Sequence, residues 1–287
     1  MSEVELVIDG RGRDLGDGFR VERVLPAPLH RMVGPFTFLD HMGPADIAAD
    51  HPLTVRPHPH ICLATVTYLF DGEIVHRDSL GSHVTIAPGA INWMTAGRGI
   101  VHSERGPAKA QKLHGLQLWC ALPVEHEETE PTFQHVPAAE LPELTIDGAT
   151  VRVLAGEAFG KTAPTRTLSR LFYVDIDATG AATIELPDYP ERAAYAVTGC
   201  FQVESETYEH GHMTVFAPGP VRIEVQPGTR MVLLGGDPIG KRLMYWNFVA
   251  STQERIDRAK ADWKAGRFPK VPGDEVDFIP LPDDHFG

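Results

Sequence analysis

Two short motifs, each with metal-binding side chains two residues apart, most strongly constrain how this chain folds. The first is Pro57-His58-Pro59-His60 and the second is Val101-His102-Ser103-Glu104. Positions i and i+2 lie on the same face of an extended strand. The two motifs therefore predict two β-strands whose paired side chains face one interior, where four ligands converge.

The residues around these motifs carry repeated signals for short β-strands. Runs such as Thr65-Val66-Thr67-Tyr68 and Leu116-Gln117-Leu118-Trp119 are separated by turn sequences such as Pro88-Gly89 and Gly97-Arg98-Gly99. This spacing is typical of a β-sandwich or β-barrel. Similar signals return after residue 148. The predicted fold class is therefore all-β, with the same architecture occurring twice along the chain.

The length of the chain indicates how many domains it can form, and its charge argues against some classes of partner. A chain of 287 residues has room for two domains of ordinary size. The formal net charge is −13, and no stripe of Lys and Arg residues occurs. Because nucleic acids and anionic membranes attract basic surfaces, direct binding to either is not expected.

Three features of the chain predict a cytoplasmic protein. Its first residues carry acidic side chains and glycines, where a signal peptide has a basic and then an apolar region. The longest nearly apolar run, Ile61 to Phe70, is far shorter than the roughly 20 residues of a membrane-spanning helix. Cys62, Cys120 and Cys200 are odd in number and widely separated, which argues against a disulfide framework.

The donor atoms of the two motifs predict a catalytic metal. Three histidines and one glutamate suit one divalent ion of iron, manganese, nickel, cobalt or copper, and zinc is also compatible. Four protein ligands on an octahedral ion leave two positions open, as catalysis requires. Several histidines stand alone in the sequence and are expected in the core or at the surface instead: His76, His83, His114 and His126.

The first motif fits the frame of the cupins, which are small β-barrels with a metal in the lumen. Their pattern is H-x-H, a short spacer, Glu, six residues and Gly, and here Thr65 and Gly72 follow His58-Pro59-His60 at that spacing. Thr65 is a weak neutral ligand where the pattern has a carboxylate. Glu104, two residues beyond His102, would supply the missing negative charge on the same strand face.

A longer segment carries a more specific resemblance. HPHICLATVTYLFDGEIVHRDSLGSHVTIAPGAINWMTAGRGIVHSER resembles the signature of the pirin family, above all in WMTAGRGIVHSE. The resemblance implies a bicupin of two jelly-roll β-barrel domains in tandem, with a non-haem iron in the first. It places the metal ligands at His58, His60, His102 and Glu104. Cys62 stands where many pirins have glycine, and its side chain is expected near the metal.

The resemblance also implies a function. It indicates a quercetin 2,3-dioxygenase, which uses Fe(II) and O2 to cleave a flavonol, a small planar phenolic substrate, with loss of carbon monoxide. Glu104 is the predicted general base for the flavonol hydroxyl. Asp40 and His41 either end a strand in a polar turn or, with Cys62, contact substrate at the mouth of the metal cleft. In the alternative interpretation the metal or its redox state regulates binding to a protein partner, as some pirins act as transcription cofactors.

The predicted domains are contiguous. Residues 1–130 form the metal-binding domain, residues 131–148 a linker rich in Pro and Glu, and residues 149–287 a second cupin domain. Ala87-Pro88-Gly89 is echoed by Ala217-Pro218-Gly219, and Asp71-Gly72 by Thr198-Gly199. Carrying the ligand positions over with these two offsets leads to residues that form no metal site: Glu185, Pro187, Val232 and Leu234. The second domain is therefore expected to be metal-free.

The end of the chain predicts one short helix. Ser251-Thr252-Gln253-Glu254 has the form of a capping box, and Ile256, Ala259 and Trp263 recur on one helical face. Gly266 lies where a helix C-terminal cap is expected. The remaining tail is predicted to be extended.

Overall fold

The computed structural model describes residues 3–14 and 19–282 and consists mainly of β-strands. Strands in the first half are β1 (Val4–Asp9), β2 (Arg11–Asp14), β3 (Arg20–Leu25), β4 (Phe36–Ile47), β5 (Thr54–His60), β6 (Leu63–Asp71), β7 (Ile74–Asp78), β8 (His83–Ile86), β9 (Ile91–Thr95), β10 (Ile100–Arg105), β11 (Gln111–Ala121) and β12 (Thr132–Val136).

The second half continues in the same manner and ends in the one α-helix of the described residues. Its elements are β13 (Glu143–Ile146), β14 (Ala149–Ala158), β15 (Lys161–Thr162), β16 (Leu171–Ala178), β17 (Ala182–Glu185), β18 (Glu191–Thr198), β19 (Cys200–Val203), β20 (Glu206–Glu209), β21 (His212–Phe216), β22 (Arg222–Val225), β23 (Thr229–Gly236), β24 (Leu243–Tyr245), β25 (Phe248–Ala250) and α1 (Gln253–Lys264). The all-β prediction with a short C-terminal helix is confirmed. Within the described residues, no helix is long and apolar enough to cross a membrane.

The chain folds into two compact units, both built from two pieces of sequence. Residues 42–135 and 239–287 form one, called here the histidine unit, and residues 1–41 and 136–238 form the other, called the companion unit. This grouping differs from the contiguous division at residues 130 and 149, because the C-terminal helix and tail pack in the histidine unit. The segment expected to be a linker contains two strands, β12 and β13.

Each unit has a jelly-roll arrangement of two antiparallel sheets. In the histidine unit the strand orders are β12-β9-β6-β11, continuing into the second half of β4, and β5-β10-β7-β8. In the companion unit they are β1-β21-β18-β23-β16-β14-β13 and β17-β22-β19-β20. The two orders correspond strand for strand: β5, β10, β7 and β8 match β17, β22, β19 and β20, while β6, β9 and β11 match β18, β21 and β23. The predicted duplication is thereby visible in the topology.

The correspondence corrects the offset inferred from the sequence. Val232 and Leu234 lie on β23, the counterpart of β11, so their predicted match with the second ligand pair on β10 is wrong. Ala87-Pro88-Gly89 lies between β8 and β9, whereas Ala217-Pro218-Gly219 lies between β21 and β22, the counterparts of β9 and β10. The two turns are therefore in different connections of the fold.

The true counterparts of the ligand strands carry apolar side chains into the core of the companion unit. On β17 these are Ala182 and Ile184, and on β22 they are Ile223 and Val225, all at most 5% exposed and part of one hydrophobic cluster. Burying such side chains stabilises the barrel by about 25 cal/mol per Å² of apolar surface. The lumen of the companion unit is thus filled by packing at these positions.

Helix α1 forms as predicted but begins one residue later than the capping box suggests. The Thr252 hydroxyl accepts the hydrogen bond from the Arg255 N–H and is the N-cap. Ser251 is unavailable, because its N–H and hydroxyl both donate to the Glu127 carboxylate at 2.8 Å. Gly266 follows the helix with φ of 65°, as a C-terminal glycine cap requires.

Candidate metal centre

The strand pair β5 and β10 of the histidine unit positions the predicted ligands. His102 lies directly opposite His58 in the antiparallel register. Beyond that pair the register shifts, so that Ser103 on β10 opposes both Arg56 and Pro57 on β5. Proline has no N–H to donate and is found at bulges and on edge strands. Pro57 lies at the bulge, whereas Pro59 on this edge strand stays in regular register opposite Val101.

Three of the four predicted ligands form one cluster. His58, His60 and His102 are buried, and one ligand nitrogen from each lies within 4.8 Å of the other two. The ring centroid of His58 is 5.0 Å from that of His60 and 4.4 Å from that of His102. Nε2 of His60 and Nε2 of His102 are 3.1 Å apart. The structure thus brings the two motifs together at one point.

Each clustered histidine has its other ring nitrogen in a hydrogen bond. Nδ1 of His58 lies 2.8 Å from the Arg56 carbonyl oxygen, and Nδ1 of His60 lies 3.1 Å from the Asn247 carbonyl oxygen. Since a carbonyl only accepts, both Nδ1 atoms must hold the proton. Both Nε2 atoms are then unprotonated, with their lone pairs free for a ligand.

The donor set fits a metal ion. The unprotonated Nε2 of His60 faces Nε2 of His102 across 3.1 Å, so the two nitrogens lie close enough to bind one cation. Imidazole nitrogens bind zinc at about 2.1 Å, so nitrogens at this separation could both reach one divalent ion. Neutral imidazoles with the second nitrogen hydrogen-bonded to a carbonyl are the usual form of histidine in metal sites.

Burial keeps these imidazoles neutral. Desolvation lowers the pKa of His58 to about 4, although the Arg56 carbonyl opposes the shift. Burial and the charge of the neighbouring His58 lower the pKa of His60 and of His102 well below the ordinary value of a histidine. At neutral pH the cluster therefore carries no positive charge of its own that would repel a cation.

Glu104, the fourth predicted ligand, lies on the same strand face as His102 but outside the three-histidine cluster. Its side chain is nine-tenths buried, and Oε1 is 3.5 Å from the Thr67 hydroxyl. Burial raises the pKa of Glu104, against the opposing effects of His76 and of the Thr67 hydrogen bond. Its role as a ligand stays a prediction.

Sequence reasoning missed two residues, His76 and Asp78 on β7. His76, expected to be an isolated histidine, has its Nδ1 3.5 Å from Nδ1 of His102 and its Nε2 3.0 Å from Oδ2 of Asp78. On β7 these residues face Glu104 and His102 across the ladder. The i, i+2 spacing that identified the ligand pairs also occurs in His76-Arg77-Asp78, and it was the available signal.

Asp40 and His41 lie in the companion unit, in the middle of β4 rather than at a strand end. The expectation of a polar turn after the strand is therefore wrong, because β4 continues to Ile47. Asp40 accepts two hydrogen bonds of 2.8 Å from the Arg23 guanidinium. Nδ1 of His41 is 2.8 Å from the Tyr195 hydroxyl. Their contact with substrate stays a prediction.

Cys62 does not continue the face of His60, because β5 ends at His60 and Cys62 adopts a φ of 55°. Its side chain packs in an apolar cluster with α1 and β25 that includes Phe248 and Ile256. Burial raises the pKa of the Cys62 thiol to about 12. The structure thus places Cys62 against the C-terminal helix, and a role in substrate binding stays a prediction.

Comparisons with known proteins agree with this architecture. The Pirin family model matches residues 18–120, and the model of the Pirin C-terminal cupin domain matches residues 171–269. A pirin-like protein of Caulobacter vibrioides is 50% identical over 288 residues, which cover 98% of this chain and 100% of the relative. A pirin-like protein of Solanum lycopersicum is 34% identical over 266 residues, 90% of this chain and 89% of the relative.

A solved structure shares the whole fold. The crystal structure of quercetin 2,3-dioxygenase from Acinetobacter baumannii superposes with a TM-score of 0.91 at 36% sequence identity, covering 97% of this chain and 95% of that one. Two family models, relatives matched over almost their full length and a shared fold all point the same way. The chain therefore belongs to the pirin family.

Proposed function

We propose that this protein is a mononuclear non-haem dioxygenase that cleaves a flavonol such as quercetin with O2. The main support for this proposal is that three buried, neutral histidines lie close together. In at least two of them the hydrogen bond at Nδ1 leaves Nε2 free. The similarity to a quercetin 2,3-dioxygenase over 97% of the chain supports the choice of substrate class. A cytoplasmic location is proposed with it, since the three cysteines are free thiols that suit a reducing compartment.

We propose His58, His60, His102 and Glu104 as the ligands of one divalent ion, with Fe(II) as the physiological metal. A bound ion of this kind supplies Lewis-acid and redox chemistry and holds both reactants in one place. The histidines contribute neutral nitrogen ligands, and Glu104 contributes the negative charge that the set otherwise lacks. Manganese, nickel, cobalt, copper and zinc remain compatible with the same donors.

The aromatic surroundings of the histidines suit the proposed substrate class. The Trp119 ring packs edge-on against His60 with a centroid separation of 5.3 Å, and it is 7% exposed. An aromatic wall beside the histidines suits a planar phenolic molecule, because aromatic rings pack well edge-on or offset. Fewer waters at the site also strengthen each electrostatic interaction within it.

Glu104 is the proposed general base. A flavonol binds best as its anion, so the proton of the reacting hydroxyl has to be accepted by a nearby group. The pKa of Glu104 is raised by burial, which brings it closer to that of the phenol and makes proton transfer easier. The Thr67 hydroxyl is 3.5 Å from Oε1 and donates its shorter hydrogen bond, of 2.9 Å, to Gln117 Oε1.

Oxygen uptake with quercetin tests this proposal. The protein is loaded separately with Fe(II), Mn(II), Ni(II), Co(II) and Cu(II), and uptake is followed with an oxygen electrode. Glu104→Gln should lower kcat by about 10²- to 10⁴-fold, the usual contribution of general base catalysis. His58→Ala should also lose bound metal, measured by elemental analysis.

His83→Ala is the matched control, because His83 is an exposed histidine on the edge strand of the same sheet. It should retain full activity and metal content. If wild-type protein takes up no oxygen with any metal that it binds, the enzyme proposal fails and the regulatory alternative gains support.

A further inference from the structure

The ligand candidate His102 is joined to a buried carboxylate through a second histidine. Its Nδ1 lies 3.5 Å from Nδ1 of His76, which is the long end of hydrogen-bond distance. Nε2 of His76 lies 3.0 Å from Oδ2 of Asp78. His76 is 3% exposed and Asp78 is fully buried. The three side chains thus form a continuous chain from a buried negative charge to the histidine cluster.

The donor and acceptor roles of these three side chains follow from the carboxylate of Asp78. A carboxylate only accepts, so the proton between Asp78 and His76 belongs to Nε2 of the histidine. When His76 carries this one ring proton, its Nδ1 is an acceptor, and Nδ1 of His102 is then the donor. His102 is consequently left with an unprotonated Nε2, the atom that lies 3.1 Å from Nε2 of His60.

The pair is held rigidly and independently of His102. The other oxygen of Asp78, Oδ1, accepts hydrogen bonds from the backbone N–H groups of Leu80 and Ser82 at 2.9 and 3.1 Å. The His76 ring stacks on Phe133 with centroids 4.4 Å apart and an angle of 10° between planes. Because both side chains are fixed by other contacts, they can hold His102 in one orientation.

His58 and His60 have backbone carbonyls in the equivalent position, which are neutral acceptors. Only His102 among the clustered histidines is linked to a charged acceptor. A carboxylate behind a ligating histidine increases the basicity of the ligand and balances part of the metal charge. His102 should therefore be the strongest of the three nitrogen ligands.

We propose that Asp78 and His76 are a positioning pair that fixes His102 with its proton on Nδ1 and strengthens metal binding at Nε2. This inference rests on the metal centre of the proposed function but not on the dioxygenase reaction. The pair touches neither the substrate nor the metal in this proposal; it acts through His102.

Three variants separate the contact between Asp78 and His76 from the contact between His76 and His102. Asp78→Asn keeps the shape of the side chain and an oxygen for the turn N–H groups, but it removes the charge and offers His76 a donor. His76→Phe keeps the stacking on Phe133 and removes both nitrogens. His76→Asn places an amide oxygen near the former Nδ1 and should restore the acceptor for His102, while the link to Asp78 is lost.

The first measurement is the tautomer of His102 in metal-free protein, read from ¹⁵N NMR of histidine side chains, with the His102 signals assigned by their loss in His102→Gln. Wild type and His76→Asn should show the proton on Nδ1. His76→Phe and Asp78→Asn should show a mixture or the Nε2 form. A merely structural role for the pair would not change this readout.

The second measurement is the affinity for Co(II) alone, followed through its visible absorption in competition with a chelator. Asp78→Asn and His76→Phe should raise Kd by about 10- to 100-fold, the usual effect of losing such a partner. The control His83→Phe, at an exposed position in the same sheet, should leave Kd unchanged.

The outcomes are distinguishable. An unchanged tautomer in both variants overturns the inference, even if Kd rises, because the loss would then come from general packing. An unchanged Kd overturns it as well. If wild type itself fails to bind Co(II), the metal centre and the proposed function fail together. If wild type binds normally and the variants match it, only this inference fails. Asp78→Asn is nearly isosteric, so the test stands even if His76→Phe does not fold.

Discussion

The second nitrogen of each imidazole is the residue-scale feature on which the candidate site depends. His58 and His60 direct Nδ1 to backbone carbonyls, and His102 directs Nδ1 to His76. Which nitrogen is free in each ring follows from these partners and not from the ligand motif itself. The motif specifies which residues are candidate ligands, and their hydrogen-bond partners determine which ring nitrogen is free to bind a metal.

Thiol reactivity provides a prediction for single residues. Cys62 is buried and its pKa is raised to about 12, whereas Cys200 is partly exposed. The thiolate is the reactive form, so Cys62 in the folded protein should resist iodoacetamide at pH 8 while Cys200 reacts. Mass spectrometry of the peptides measures the extent of iodoacetamide labelling at each cysteine.

The same experiment in denaturant is the control, since Cys62 should then react as fast as Cys200. Rapid labelling of Cys62 in the folded protein would contradict its burial against α1.

At the scale of elements, the bulge at Pro57 in β5 leaves backbone carbonyls available to hydrogen-bond outside the sheet. Pro57 interrupts the ladder with β10, and at that bulge the Arg56 carbonyl accepts from His58 while the Pro57 carbonyl accepts from Ile279 N–H at 2.9 Å. A regular strand would use more of these groups in sheet pairing. The bulge therefore links the ligand strand both to its own histidine and to the C-terminal tail.

The N-cap of α1 yields the prediction at this scale. Thr252→Ala removes the acceptor for the Arg255 N–H and should destabilise the helix by about 1 kcal/mol, equivalent to about five-fold faster amide exchange. Hydrogen exchange of the α1 amides measures this directly. Thr252→Ser retains the hydroxyl and should leave the exchange rates near those of wild type. Equal rates in the Ala variant would show that Thr252 is not the cap.

At the scale of the whole molecule, sequence order and structural grouping differ. Residues 239–287 pack with residues 42–135, although most of the companion unit lies between them in the sequence. The C-terminal segment supplies the Asn247 carbonyl to His60 and the Asp274 carboxylate to Arg105, which it binds through two contacts of 2.7 Å. The histidine unit is therefore incomplete until the end of the chain is present.

Truncation tests this grouping. A chain that ends at Pro238 should lose metal binding and thermal stability, since His60 lacks its acceptor and the cluster around Phe248 is gone. A chain that ends at Lys270 keeps Asn247 and α1, and it should bind metal with a lowered melting temperature. Elemental analysis and calorimetry measure both properties. Normal metal binding by the chain ending at Pro238 would contradict the grouping.

Much of the fold and part of the site were predictable from local pattern. Alternating side chains and turn sequences predicted the strands, and the i, i+2 pairs predicted that His58, His60 and His102 meet. The spacing of His76 and Asp78 predicted a pair on one strand face, but the contact of His76 with His102 and Phe133 was not predictable, because these partners lie on other strands. The offset between the two barrels was misjudged because the two Ala-Pro-Gly turns occupy different connections of the fold.

The sequence by itself determined the β architecture, the three histidines and the family, since strand alternation and motif spacing are local properties of the chain. Only the tertiary structure decided which ring nitrogens are free, that Asp78 lies behind His102, and that the C-terminal segment completes the histidine unit. Those features depend on contacts between residues far apart in the chain, and such contacts are set by packing and by the cost of leaving buried polar groups without a partner.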